Sequence, residues 1–325
     1  MKKFIVLSLV LVLALSVGIG CKKESDTYSL KLSTVLTDTD PITLGLEAMA
    51  KEVEEKTDGK VRIEVYPSSQ LGDTADVLEQ AKNGSNVGVI IDTGMLADYV
   101  PDMAIYTAPY VFDNVEEARA FIETDLFASW DEELATHGLR DLSCNWYQGA
   151  RHFLSNKPIN TPADLKGVRV RTMGSKVAQE SMKAMGATPT SLAWSEVYSG
   201  LQQKVIDSAE AQLPAVYGAS LHEVVDYISE TGHFLLYTGL VISEKWFQSL
   251  PEEYRDILVQ ASIKAGDYAT KLTLEKEVEY KAKMKEAGVT FIPVDIAPFK
   301  KASSTVYQTM GWTQLKADID AALGK

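Results

Sequence analysis

The chain has 325 residues, 46% of them hydrophobic, and its 45 acidic and 32 basic side chains give a formal net charge of −13. The hydrophobic fraction excludes a disordered chain, and the excess of acid argues against a nucleic-acid partner. The length favours two lobes over one and allows a large core without disulfide bonds.

The N-terminus has the three-part layout of an export signal. A basic start, Met1-Lys2-Lys3, precedes an apolar stretch from Phe4 to Ser16 and small residues that end at Gly20-Cys21. Because the apolar stretch is too short for a lasting membrane span, residues 1–20 are predicted to be a signal peptide. An uncleaved N-terminal anchor is the alternative. The protein is therefore expected to be exported.

Gly20-Cys21 resembles the end of a bacterial lipobox, in which the cysteine becomes the lipidated first residue of the mature chain. Gly18 departs from that motif, because it stands where an aliphatic residue is usual and Val17 is one place early. We expect Cys21 to be acylated, residues 21–27 to form a tether, and the protein to lie at the periplasmic or extracytoplasmic face of a membrane. Cys144 then has no partner for a disulfide bond.

After the tether, strand-like and helix-like segments alternate. Apolar residues recur every three or four positions over 42–53, which predicts a helix, and those over 61–65 alternate as in a half-buried strand. The later predicted elements are a helix over 73–84, a strand over 87–91, a helix capped by Asn114, a strand over 139–146, a helix start at Thr161 and a strand over 168–172. This order predicts an α/β fold with largely parallel sheets.

The pattern changes late in the chain. Leu250-Pro251-Glu252-Glu253 begins a helical run that lasts to about Gly288, which predicts a helix on the order of 55 Å long at 1.5 Å per residue. A helix of that length spans two lobes and braces them. Because the sequence shows no Pro/Gly-rich linker, the lobes are expected to be joined by strands or helices.

The sequence lacks the short motifs that mark common catalytic sites. His137, His152, His222 and His233 do not fall in metal-ligand spacings such as HExxH, and no GxSxG elbow, GxGxxG loop or Walker loop is present. The carboxylates lie mostly with lysines on predicted helix faces. The chain is therefore predicted to have no catalytic residue, no metal site and no cofactor.

The positions of the arginines are more informative about function than the search for catalytic motifs. In Val168-Arg169-Val170-Arg171-Thr172 the arginines share one face of a predicted strand, and an arginine at a strand end can grip a carboxylate with two parallel hydrogen bonds. A solvated strand face is the alternative. Arg151 is a second candidate with the same ambiguity. Trp194, just before a predicted helix start, fits either the floor of a binding site or the core.

Several stretches match one protein family in order. They are residues 66–73, Ala108-Pro109-Tyr110-Val111-Phe112, residues 157–171, Trp194-Ser195-Glu196-Val197-Tyr198, and Val205-Ile206-Asp207 with Glu210. From about residue 28 to about residue 312, the chain resembles the DctP-type solute-binding proteins of TRAP (tripartite ATP-independent periplasmic) transporters. The resemblance implies a two-lobed, periplasmic-binding-protein-like α/β fold with a ligand cleft between the lobes and a long bracing helix.

The resemblance also implies a ligand site. Arg171 stands at the family position whose guanidinium pairs with the ligand carboxylate, and Arg151 stands at that of a supporting arginine. Trp194 matches an aromatic ligand contact. The remaining predicted ligand-binding residues are Asp92 and Thr93 at the far end of the ligand, Asp38 in the first ligand-facing turn, Glu210 and Gln212.

Two departures from the family leave the substrate open. Many sialic-acid and dicarboxylate binders have asparagine after the glutamate, where this chain has Ala211 followed by Gln212. The first loop also lacks the asparagine of sialic-acid binders. A carboxylate is expected on the ligand, and the number of carboxylates is not fixed by the sequence.

The implied lobes are residues 28–148 plus about 237–276, and residues 149–236 plus about 277–325. The implied mechanism is capture of a small organic acid by hinge closure and its delivery to the small and large membrane subunits of the transporter, with no membrane contact of its own beyond a lipid anchor. Three alternatives remain open: an ABC-type binding protein, an exported sensory binding protein, and an exported enzyme that acts on an organic acid.

Overall fold

The computed structural model describes residues 27–325. The predicted signal peptide and Cys21 lie outside these residues. The strands are β1 (Tyr28–Ser33), β2 (Val61–Tyr66), β3 (Val87–Asp92), β4 (Leu139–Asp141), β5 (Trp146–Ser155), β6 (Arg169–Thr172), β7 (Thr188–Ser191), β8 (Ser208–Gln212), β9 (Tyr227–Ser243) and β10 (Thr290–Pro293). The helices are α1 (Pro41–Lys56), α2 (Thr74–Lys82), α3 (Val115–Phe121), α4 (Asp125–Thr136), α5 (Lys176–Ala184), α6 (Val197–Gln202), α7 (Leu213–Gly218), α8 (Glu244–Ser249), α9 (Glu252–Glu286), α10 (Ala297–Ser303), α11 (Thr305–Thr309) and α12 (Thr313–Ala322).

The strands form one sheet in the order β2-β1-β3-β9-β5-β8-β6-β7, and β4 and β10 also pair with β9. The pairs β1–β2, β1–β3, β6–β7 and β6–β8 are parallel. Strand β9 pairs antiparallel with both β3 and β5. Two parallel regions are therefore joined by a central antiparallel region, which confirms the predicted α/β class.

Strands β5 and β9 run through both regions of the sheet. The C-terminal part of β9 pairs with β3, whereas its first residues pair with the end of β5. The β5–β9 register shifts between Tyr147 and Gly149, where Gly149 has φ +126°. That backbone conformation favours glycine. The lobe boundary predicted at 148/149 falls at this irregularity and stays a prediction.

The predicted strand over 139–146 is wrong as a single element, because residues 142–145 are irregular backbone between β4 and β5, which both run along β9. The long helix α9 holds this irregular segment. Ser143 Oγ lies 2.6 Å from Ser262 Oγ, and Asn145 Nδ2 donates to the Ile263 carbonyl and to Asp267, each at 2.7 Å. These bonds join residues more than 115 positions apart, so local sequence does not reveal them. The predicted cap of α3 by Asn114 is confirmed, since its side chain accepts a bond from Glu117 N.

Helix α9 confirms the long bracing helix. Its 35 residues correspond to about 52 Å. In its first half, Leu258 and Ala265 belong to the core cluster that α1, β1 and β2 also build. Near its end, Tyr280 and Met284 belong to a second cluster with β8 and α7. One rigid element therefore contacts two separate cores.

Helices α11 and α12 pack differently from the predicted division at about 277–325, whereas Phe299 of α10 lies in a cluster with Phe153 and Val170 of the predicted second lobe. Val306, Trp312 and Ile319 join the core cluster that residues 77–147 build, which belongs to the predicted first lobe. Tyr307 also donates a hydrogen bond to the Pro109 carbonyl. Within residues 27–325, no helix combines the length and the apolar character that a membrane span requires.

Candidate ligand-binding site

A cavity of about 320 Å³ opens where the two regions of the sheet meet. Asp92 at the end of β3 and residues 73–75 line one side, and Arg171 on β6 and residues 191–194 line the other. Strands β9, β5 and β8 lie between β3 and β6 and supply the floor. The volume is at the lower end of the range for small-molecule sites, roughly 300–1,000 Å³.

The structure brings five of the eight predicted ligand-binding residues to this cavity, namely Arg151, Arg171, Trp194, Asp92 and Gln212. Glu210, Thr93 and Asp38 do not line it. Glu210 is fully buried behind Arg151. Thr93 is also fully buried, with its hydroxyl 2.9 Å from that of Thr107. Asp38 is exposed outside the cavity.

Arg171 is a buried cation whose hydrogen-bonding capacity is largely unused. Its side chain is 6% exposed, and Nε donates to the Leu192 carbonyl at 3.0 Å. Within residues 27–325, its two terminal nitrogens donate no hydrogen bond. Burial, aided by the nearby charge of Arg151, lowers the pKa of Arg171 to about 10. The guanidinium therefore stays charged at neutral pH and presents an open fork of the kind that binds carboxylates.

Trp194 orients this guanidinium. The Arg171 Cζ atom lies 5.3 Å from the centre of the Trp194 ring, a cation–π contact. Trp194 also begins a short 3₁₀ turn, Trp194–Glu196, that follows β7. The aromatic ring and the Leu192 carbonyl thus hold Arg171 from two directions and leave its terminal nitrogens facing the cavity side.

Arg151 also lines the cavity, but protein groups occupy most of its N–H donors. Its Nε and one terminal nitrogen donate to the Glu210 carboxylate, and the same nitrogen also donates to the Glu210 carbonyl. The other terminal nitrogen donates to Gln212 Oε1 at 2.7 Å. Burial alone raises the pKa of Glu210, but Arg151 and His233 outweigh it and hold that pKa at about 2. Arg151 and Glu210 therefore form a buried, mutually neutralised pair.

A directed relay of hydrogen bonds crosses the floor from Arg151. Gln212 Nε2 donates to Gln148 Oε1 at 2.8 Å, and Gln148 Nε2 donates to Thr238 Oγ1 at 3.3 Å. Thr238 in turn donates to the Trp146 carbonyl at 2.9 Å. Arg151 can only donate and a carbonyl can only accept, so both ends of the relay set its direction. Each glutamine is thereby fixed in one orientation.

Asp92 terminates β3 and caps a 3₁₀ turn, Thr93–Leu96. Its Oδ1 accepts from Gly94 N at 2.9 Å and from the Thr107 hydroxyl. Its Oδ2 has no hydrogen-bond partner among the described residues. Burial raises the pKa of Asp92, and Thr107, Gly94, Arg151 and Ser175 oppose that rise. Asp92 thus lines the cavity as a buried carboxyl group that makes no ion pair with the described residues.

The sequence did not reveal several lining residues, among them Asp73, Gln148 and Thr238. Asp73 precedes α2 but makes no side-chain capping bond. Gln148 and Thr238 come into contact through the β5–β9 pairing, 90 positions apart in sequence. Gln148 lies three positions before Arg151 on the same strand. This closeness in sequence was the one local indication that Gln148 could line the cavity.

The fold and the cavity define a two-lobed solute-binding protein. The model of the family DctP, described as bacterial extracellular solute-binding protein, family 7, matches residues 32–314, and the chain belongs to this family. The sialic acid-binding periplasmic protein SiaP of Vibrio cholerae is 31% identical over 261 residues, which cover 80% of this chain and 81% of that protein. The family that the sequence resembled is thereby confirmed.

Solved structures agree with this assignment. A TRAP periplasmic solute-binding protein from Escherichia fergusonii, in an apo open form, has a TM-score of 0.81 and 41% identity over 91% of this chain and 100% of its own. One from Ochrobacterium anthropi with bound L-fuconate has a TM-score of 0.89 and 35% identity over 91% of this chain and 99% of its own. These comparisons confirm the two-lobed fold, and these relatives are solute-binding proteins.

Proposed function

We propose that this protein is the extracytoplasmic substrate-binding subunit of a TRAP-type transporter. It captures a small organic acid in the cavity between β3 and β6, closes its lobes over that acid, and delivers it to the small and large membrane subunits. Family membership supports the transport role. The open fork of Arg171 is the observation that carries the chemistry, since a buried cation without an anionic partner is costly unless a ligand supplies one.

Hinge closure fits the arrangement of the lobes. The chain is structurally more similar to the fuconate-bound neighbour than to the open one, although it is more identical in sequence to the open one. Ser175 at the start of α5 approaches Gly94 so closely that a Cβ atom on Gly94 would lie 2.8 Å from Ser175 Oγ. Closure excludes water and strengthens the charged hydrogen bonds to the ligand, which favours the closed state.

The N-terminal segment supports export in the proposed role. Residues 1–20 act as a signal peptide, and acylated Cys21 holds the protein at the periplasmic or extracytoplasmic face of the membrane. Capture of an acid also fits an ABC-type or a sensory binding protein. Specific docking of the closed protein onto TRAP membrane subunits, with ion-driven uptake in vesicles, is the outcome expected only for the TRAP role. Chemical change of a bound acid would instead indicate an exported enzyme.

The anchor is tested by replacing Arg171 with methionine. We expect Arg171→Met to weaken organic-acid binding by at least about 30-fold, because loss of one partner of a desolvated charged pair costs roughly 2–5 kcal/mol. Binding is measured by the ligand-induced shift in melting temperature and by calorimetry on protein freed of co-purified ligand.

Arg169→Met is the matched control. Arg169 lies two positions earlier on the same strand, but it is exposed and already paired with Asp207 at 2.8 Å. Its loss should leave binding unchanged. Equal affinity in Arg171→Met and the wild type would refute the assignment of the anchor.

A further inference from the structure

We infer that the cavity selects an acid with a single carboxylate and a hydroxylated body, such as an aldonate or a uronate, and rejects dicarboxylates of the same length. The inference rests on the proposed function, because it takes Arg171 as the carboxylate anchor. It follows from three features of the cavity: the number of free cations, the charge of the opposite side, and the hydrogen-bonding groups of the floor.

The described residues that line the cavity offer one free cation. Arg151 and Arg171 are the two cationic side chains among these residues. Arg151 has four of its five N–H groups directed at Glu210 and Gln212, and Glu210 cancels its charge. Arg171 uses one of its five within the described chain. The site can therefore neutralise one carboxylate and has no cation left for a second.

The β3 side of the cavity is acidic. Asp92 and Asp73 line it, and neither carboxylate meets a cation at salt-bridge distance within residues 27–325, although the charge of Asp73 acts to raise the pKa of Arg171. Among the described residues, the buried Oδ2 atom of Asp92 accepts no hydrogen bond, and Asp73 makes no side-chain bond to the first turn of α2. A second ligand carboxylate at this end would face the Asp73 carboxylate and the buried Asp92 side chain, with no cation to neutralise it. A hydroxyl group would carry no charge towards these side chains, and it can donate to Asp73, which makes no side-chain bond to the first turn of α2.

The floor between the two ends is polar and neutral. Gln212 and Gln148 each use one amide hydrogen and one carbonyl lone pair in the relay. The second hydrogen of each amide and the second lone pair of each oxygen remain for a ligand. Hydroxyl groups both donate and accept, so a row of ligand hydroxyls can hydrogen-bond to the amide groups of this floor. A methylene chain would leave those amide groups without partners.

The test compares acids that differ only at the far end. Hexonates of several configurations are titrated calorimetrically into the full chain freed of co-purified ligand, each beside the hexarate in which the terminal CH₂OH is a carboxylate, and beside the alditol with no carboxylate. We expect at least one hexonate or hexuronate to bind, its hexarate to bind at least 100-fold more weakly, and the alditol not to bind. A hexarate or succinate within tenfold of the best hexonate would overturn the inference.

Failure of the inference is distinguishable from failure of the proposed function. If dicarboxylates bind well and Arg171→Met abolishes their binding, the anchor stands and the selectivity is wrong. If no acid binds, the proposed function itself fails.

The acidic side is tested by Asp92→Asn, which keeps an oxygen for Gly94 N and removes the charge. We expect the ratio of hexonate to hexarate affinity to fall at least fivefold. The control Asp98→Asn changes an exposed aspartate six positions along and should leave that ratio unchanged. An unchanged ratio in Asp92→Asn would show that Asp92 does not cause the discrimination.

Discussion

Arg151 and Arg171 are both buried and line the same cavity, but they differ in what the protein already provides for them. Arg151 is enclosed by Glu210 and Gln212, whereas Arg171 has one carbonyl and one aromatic ring. The first arrangement satisfies a charge and holds strands β5 and β8 together. In the proposed function, the ligand carboxylate satisfies the charge that the second arrangement leaves open. We therefore expect ligand binding at the polar groups that the described part of the fold does not pair.

The largest effect is expected when Arg151, the arginine that the protein already pairs, is replaced. Arg151→Met should lower the free energy of unfolding by about 3–5 kcal/mol, because it leaves Glu210 charged and buried without its guanidinium partner. Arg171→Met should change it by less than about 1 kcal/mol, since no carboxylate loses a partner there. Urea unfolding of both variants measures the difference. Similar losses in the two variants would contradict the contrast between the arginines.

The pairing of Arg151 with Glu210 should also make the stability of the protein depend on pH. In the wild type the pKa of Glu210 lies at about 2, below its ordinary value of 4.5. The pair therefore contributes stability that is present above pH 4.5 and is lost as the pH falls towards 2. Without Arg151, burial raises the pKa of Glu210, so this group then contributes stability that is lost as the pH rises. Unfolding of Arg151→Met at several pH values should show this reversal.

The two arginines also show which features of the site could be predicted from the sequence and which could not. The βα alternation, the long helix and the motif around Arg171 were readable, because each depends on local periodicity or on residues close together in the chain. The enclosure of Arg151 was not, since Glu210 and Gln212 lie 59 and 61 positions away and meet it only through the pairing of β5 with β8. Glu210 was accordingly predicted as a ligand contact, whereas the structure places it behind the cavity.

A second prediction concerns closure rather than ligand contact. In Gly94→Ala, the new methyl would lie 2.9 Å from both Ser175 Cβ and Val177 Cγ1. Such overpacking costs about 1–3 kcal/mol, so we expect affinity for the acid to fall roughly fivefold to 150-fold while the fold is retained. Calorimetry gives the affinity, and circular dichroism checks the fold. Full affinity in Gly94→Ala would show that the contact between these segments is not needed for the bound state.

A third prediction concerns Glu277, a carboxylate that forms no salt bridge within residues 27–325. Glu277 on α9 accepts a bond from Ala150 N at 3.0 Å, and burial raises its pKa from 4.5 to about 7. The folded state binds its proton more tightly than the unfolded state, so stability should fall as the pH rises from 4.5 to 7. Glu277→Gln keeps the acceptor and should remove this loss, on the order of 1–3 kcal/mol at pH 8. Parallel unfolding curves for the two proteins from pH 4 to pH 8 would refute this assignment.

The smallest expected effect concerns the group that orients Arg171. Trp194→Leu removes the cation–π contact but keeps an apolar side chain, and such contacts contribute about 0.5–2 kcal/mol. We expect acid affinity to fall roughly twofold to 30-fold in Trp194→Leu and less than twofold in Trp194→Phe, which retains an aromatic face. If leucine and phenylalanine behaved alike, Trp194 would act only as a wall of the cavity. A larger loss in Trp194→Leu than in Trp194→Phe would instead show that Arg171 needs an aromatic partner to fix its orientation before the ligand binds. Without that partner, part of the binding free energy is spent on ordering the guanidinium when the carboxylate binds.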